Sequence, residues 1–155
     1  MTTSPGASGA ADDFEQPGRT GPTATTDADA STVGAVRTSY APDRDGAPDP
    51  GEIVWTSVPF EENDGRSKDR PVLIVAREAA GTLLAVRLSS KRHDLDRDWV
   101  PIGAGEWDRE GRASWVDLDR VLRVHEAGMR REACALDRAR FDVVVGRLRE
   151  RYGWS

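Results

Sequence analysis

The chain is poor in the residues that staple or metallate small proteins. Of 155 residues one is cysteine, Cys134, and two are histidine. A single thiol excludes an intramolecular disulfide, and no Cys/His cluster has the spacing of a metal site. No metal or cofactor is therefore expected, and the lone thiol suits a reducing compartment. Long apolar runs are also missing: nothing approaches the roughly 18 residues of a membrane helix. The opening stretch, residues 1–14, has neither a basic n-region nor an apolar h-region, so no signal peptide is expected and the expected location is the cytoplasm. No internal repeat is visible.

Aromatic and aliphatic residues are scarce in one place. Residues 1–50 consist largely of Gly, Ala, Ser, Thr, Pro and Asp, and only Phe14, Val33, Val36 and Tyr40 are large and apolar. Ordering a backbone costs about 1–2 kcal/mol per residue, which so little apolar surface does not offset. Residues 1–50 read as a disordered acidic tail, ending in a proline-stiffened linker over 41–50. They hold eight acids and three bases, out of 27 acids and 22 bases in all, so the chain's net charge of −5 lies entirely in the tail. Residues 51–155 are left neutral, with nineteen charges of each sign. An acidic isoelectric point thus says nothing against nucleic-acid binding by the domain.

What is present begins at Gly51. The run 52–58 is β-branched and aromatic and predicts a strand. The polar stretch 59–69, with Asn63-Asp64-Gly65, predicts a loop. Val72 to Ala76 is almost continuously apolar, as in a strand buried on both faces. A turn at 79–81 leads to a third strand over 82–89. The charged segment 91–98 reads as exposed. Short strands are expected at 99–102, 113–116 and 121–124, with a helical turn at 117–119 and a turn plus edge strand at 127–131. Phe141, Val144, Val145, Leu148 and Tyr152 recur on one helical stripe, with Asp137 as N-cap and Gly153 as stop. The expected fold is a small, mainly β (α+β) barrel closed by one C-terminal helix.

The order of these segments is recognisable. Gly51-Glu52-Ile53-Val54-Trp55 precedes a polar loop and then Arg70-Pro71-Val72-Leu73-Ile74-Val75. A strand ending in Leu88-Ser89-Ser90 follows, then Ser114 to Val124, then the helix. Over residues 50–153 this resembles the PemK/MazF toxins, which open with a Gly-Asp-Ile/Val-aromatic strand and carry an Arg-Pro-Val-Leu-Val strand. The resemblance implies an SH3-like barrel, a homodimer, and cleavage of single-stranded RNA without a metal ion. It further implies a cognate acidic antitoxin as partner, and promoter DNA bound through the toxin–antitoxin complex.

By the same resemblance Arg70 is the catalytic arginine and Ser89 takes the place of a catalytic threonine. The chemistry suits them. Cleavage by the substrate's own 2′-OH builds negative charge on phosphorus oxygens, which the planar, permanently charged fork of an arginine stabilises. A hydroxyl beside it can donate to a non-bridging oxygen or orient the 2′-OH. Read without the resemblance, Arg70 is an exposed arginine before a strand and Ser89 a polar strand end.

Arg66, Lys68, Lys91 and Arg92 are candidates for guiding a phosphate backbone. His93 offers a group titrating near neutrality, or is simply a solvated loop histidine; His125 reads as structural. Trp99 and Trp107 flank a glycine-rich turn and either stack on bases or serve packing and dimer contact. Trp55 and Trp115 are expected in the core, and Cys134 buried and inert. Glu61, Glu62 and Asp64 add negative charge near the expected phosphate site. They favour a second reading, in which the barrel has lost nuclease activity and binds nucleic acid or protein.

Overall fold

A computed structural model describes residues 24–28, 38–40, 49–59, 67–78, 81–91, 97–125, 127 and 129–154. Eight strands and one long helix follow in order: β1 (Thr26–Ala28), β2 (Glu52–Pro59), β3 (Ser67–Arg77), β4 (Leu83–Ser89), β5 (Trp99–Gly103), β6 (Ser114–Asp117), β7 (Val121–Val124), β8 (Arg130–Ala135) and α1 (Arg138–Tyr152). All pairings are antiparallel, in the order β1-β7-β4-β3-β2-β8. Strand β4 changes partner along its length: Leu83 to Ala85 pair with β7, whereas Leu88 and Ser89 pair with β6, which in turn pairs with β5. This switch curls the sheet into a half-barrel. The mainly β architecture with a C-terminal helix is the one expected.

Alternation along the strands divides the core in two. Ile53, Leu73, Val75, Leu84, Val86 and Leu88 meet the helix stripe of Phe141, Val144, Val145 and Leu148. The intervening residues, among them Val54, Val72, Ile74, Ala85 and Leu122, form a second buried cluster. Each fully buried side chain of this size contributes about 1.5–3 kcal/mol. The helix begins where expected, with the Asp137 carboxylate accepting from the Arg140 amide at 3.1 Å. It ends on Gly153, whose left-handed φ of 73° lets its N–H reach the Arg149 carbonyl. Among the described residues, no helix is long and apolar enough to cross a membrane.

Four local expectations change. The stretch 67–69 belongs to β3, because Ser67, Lys68 and Asp69 continue the ladder to Pro59, Val58 and Ser57 and lengthen the hairpin. Residues 117–119 make a bend rather than a helical turn, because the Asp117 carboxylate captures the Asp119 amide at 2.9 Å. The edge strand near 127–131 runs on to Ala135, paired with β2. Trp55 and Trp115 are only half-buried, and Trp107 and Trp154 are the buried tryptophans.

The reading of residues 1–50 as tail does not extend to two short pieces of it. Thr26 to Ala28 pair with Arg123 to Val121, and the buried Thr25 and Thr56 hydroxyls lie 2.9 Å apart. Further along, Thr38 takes hydrogen bonds from Arg149, Ser39 N–H reaches the Val75 carbonyl, and Tyr40 packs on Phe141 while donating to the Leu136 carbonyl. The physical reason is local: β-branched threonines fit a strand edge, and one aromatic ring finds a partner on α1.

Candidate phosphate site

The long β2–β3 hairpin fixes Arg70 opposite Thr56. The β3–β4 ladder runs Leu73↔Val86 and Val72↔Arg87 and ends there, with Arg70 and Ser89 each two residues beyond it and both lining one cleft. Alternation puts Thr56, Arg70, Arg87 and Ser89 on the face of the second core cluster, away from α1. Arg70 and Ser89 stand apart in the sequence, and the cleft brings them together.

Arg70 is half-buried, and its guanidinium pKa is lowered, first by burial and then by the positive charges of Arg87 and Arg120. Two of these three arginines are answered by carboxylates. Arg87 Nε donates to Asp117 Oδ2 at 3.0 Å, and its guanidinium lies 5.2 Å from the Trp99 ring centre. Arg120 grips Asp27 with Nε and with Nη2, the latter at 3.1 Å from Oδ2. Arg70 has no carboxylate partner among the described residues. A half-buried cation with cationic neighbours and no bonded carboxylate is a place where an anion is favoured.

Ser89 complements it. Its Oγ accepts the Lys91 N–H at 3.1 Å, which orients the hydroxyl and leaves its proton free to donate elsewhere. Where β3 begins and β4 ends, a cleft of about 370 Å³ opens, lined by Lys68, Arg70, Ser89 and Lys91 and also by Leu88 and Trp107, which belong to the first core cluster. The lysines are exposed. Asp69 and Asp108 line it too, and Arg112 is tied to Asp108 at 3.0 Å. Arg66, Arg92 and His93 lie outside the described residues.

Trp107 lines the same cleft but is not a stacking platform. It is 4% exposed, its Nε1 donates to Ser114 Oγ at 3.0 Å, and the Arg140 guanidinium sits 5.5 Å from its ring centre. Gly105 presses on the ring as well: a Cβ there would fall 2.1 Å from Trp107 Cζ3. With its surroundings filled, the ring shapes the cleft wall. Cys134 is half-buried, and burial, followed by Glu106 and Glu52, pushes its thiol up to about 11, so little thiolate exists near neutrality.

Arg87, Arg120 and Thr56 are what the sequence reading missed. Arg87 stands two residues before Ser89 and therefore on its face, a signal available from the strand period alone. Arg120 is different, since its place depends on how β7 pairs with β4.

Comparison with known proteins matches residues 49–151 to the family model described as PemK-like, MazF-like toxin of type II toxin–antitoxin system. No individually curated protein matches the chain. The family match takes in every strand from β2 to β8 and all but the last residue of α1. With well over half of its length matched, the chain belongs to the PemK-like, MazF-like family of toxins of type II toxin–antitoxin systems.

Proposed function

We propose that this protein is a ribonuclease toxin that cleaves single-stranded RNA by activating the substrate's 2′-OH, without a metal ion. The supporting observation is Arg70, half-buried and without a carboxylate partner among the described residues, lining the same cleft as the Ser89 hydroxyl on the next strand. In the reaction the 2′-oxygen attacks phosphorus, its proton passes to solvent, the P–O5′ bond breaks and the 5′-oxygen takes a proton. The products are a 2′,3′-cyclic phosphate and a 5′-OH. Arg70 stabilises the charge that accumulates on the non-bridging oxygens, and Ser89 donates a hydrogen bond to one of them. Lys68 and Lys91, at the same cleft, hold adjoining phosphates. Consistent with the family, the partner that silences the toxin is a cognate acidic antitoxin. The toxin is a cytoplasmic homodimer, and promoter DNA is contacted through the antitoxin complex.

The test is incubation of the purified chain with single-stranded RNA in EDTA. Cleavage with cyclic-phosphate ends is expected, and Arg70→Ala lowers the rate by about 10²–10³ while the melting temperature holds. Intact RNA with folded wild type overturns the proposal. Asp69 and Asp108 in the cleft favour the second reading, a binding module without catalysis. On that reading RNA is bound but never cut, and cells expressing the chain keep growing.

A further inference from the structure

The three arginines on the second face are not equivalent in what holds them. Arg87 is paired within the sheet, by Asp117 at the end of β6. Arg120 is paired instead by Asp27, which lies outside the family match and arrives on the three-residue strand β1. The Arg120 side chain is only 10% exposed, and its Nη1 is buried with no hydrogen-bond partner among the described residues. Asp27 is 37% exposed and grips Arg120 through two parallel contacts, the geometry in which a guanidinium also holds two phosphate oxygens.

This pair does not line the cleft itself but stands near Arg70. The β4–β7 ladder runs Leu84↔Arg123 and Ala85↔Leu122, with Arg87 two residues beyond it on β4 and Arg120 immediately before β7. Asp27 pairs with Leu122, which belongs to the second core cluster, so Asp27 and Arg120 share the face that carries Arg70 and Ser89. The Thr25–Thr56 contact fastens the same segment to the residue opposite Arg70. That Arg120 acts on the Arg70 guanidinium agrees with their proximity.

We infer that Arg120 is a second phosphate-binding residue for single-stranded RNA, and that the Asp27 carboxylate on β1 occupies it in the resting chain as an in-chain stand-in for phosphate. This rests on the ribonuclease reading above. Binding RNA at full strength requires Asp27 to release Arg120, so strand β1 weakens binding by competing for one charge. The strand is short, exposed at Thr26 and Asp27, and paired on one side to β7, which suits a segment that detaches while the remaining sheet stays folded.

The experiment measures binding of a 2′-O-methyl oligoribonucleotide, which the 2′-OH reaction does not cut, across a salt series. Wild type, Asp27→Asn, Arg120→Ala and the double variant are compared in the full-length chain. Each phosphate contact on a single strand steepens the log–log salt dependence by about 0.7, which at 0.1 M salt is about fivefold in affinity. Asp27→Asn is expected to tighten binding about fivefold and to steepen the slope by about 0.7. Neither change is expected when Arg120→Ala is also present. If Asp27→Asn leaves affinity and slope as in wild type, or tightens binding equally without Arg120, the inference is wrong. Arg70→Ala separates the two levels. Binding that depends on Arg70 but ignores Asp27 sinks this inference alone, whereas no RNA binding by any folded variant sinks the ribonuclease reading with it.

Discussion

Arg87 and Asp117 form an ion pair that is nearly closed to water: Nε to Oδ2 is 3.0 Å, with the side chains 14% and 4% exposed. Asp117 also holds the Asp119 amide through its other oxygen, so one carboxylate fixes both an arginine and a bend. It is what keeps Arg87 engaged while Arg70, on the neighbouring strand, has no such partner among the described residues.

Removing that carboxylate leaves a buried guanidinium and a bend without its acceptor. Asp117→Ala is expected to destabilise the fold by about 3 kcal/mol, within the range for breaking a buried pair from one side. Urea unfolding measures it. Asp117→Asn keeps an acceptor for the Asp119 amide and is expected to cost less. Equal losses for the two variants would show that charge, rather than the bend, carries the whole effect.

In the proposed reaction Ser89 acts through its hydroxyl. On that proposal Ser89→Ala removes a donor to the phosphate and is expected to lower single-turnover RNA cleavage about a hundredfold, the typical cost of one such donor. Ser89→Thr keeps the hydroxyl and is expected to retain most of the rate. The Lys91 N–H that Ser89 holds at 3.1 Å is exposed, so neither variant is expected to move the melting temperature much. A threonine variant as slow as the alanine one would mean that strand packing, not the hydroxyl, matters at this position.

How much of this is legible in the sequence depends on how local the signal is. The helix announces itself through Phe141, Val144, Val145 and Leu148, because a period near 3.6 is written in consecutive residues. The apolar stretch of β3 is equally plain from Val72 to Ala76. Its polar beginning at Lys68 and Asp69 is not, since those residues become strand only through their partners on β2. Arg70 and Ser89 come from the family resemblance, with Arg87 within reach of simple alternation. Arg120 and Asp27 lie beyond it, because 93 residues separate them and only the β1–β7 pairing brings them together. Thr25, Thr38 and Tyr40 sit in a composition that looks like tail throughout, and a few anchoring residues do not alter such an average.

Gly105 packs directly against Trp107, whose ring lines the cleft. An added methyl would meet Trp107 ring atoms at 2.1, 2.5 and 2.7 Å, and the ring is hemmed in by Arg140 and bonded to Ser114. Gly105→Ala therefore displaces the indole, strains the Nε1–Ser114 bond and is expected to destabilise by about 1–3 kcal/mol. The check is the urea midpoint together with tryptophan emission, expected to shift to the red as the ring gains water. An unchanged midpoint and spectrum would contradict the packing described.

Glu78 gives the fold a dependence on acid. Its carboxylate accepts from Arg123 Nε and Nη2 at 2.7 and 2.9 Å and from Thr82 Oγ1 at 2.7 Å, joining the end of β3 to β7. The Arg123 hydrogen bond is the largest cause that holds its pKa below the ordinary 4.5, against an opposing push from burial. A depressed carboxyl stabilises the folded chain above its unfolded value, and that stabilisation is lost as pH falls through the lower folded value. The pair is partly exposed, so water and salt screen it and the effect is modest. Glu78→Gln is expected to lower the urea midpoint near pH 7, with the gap to wild type closing below about pH 4.5 as the wild-type carboxyl takes its proton. A gap that stays constant from neutral to acid would assign the loss to packing around Thr82 rather than to the charge on Glu78.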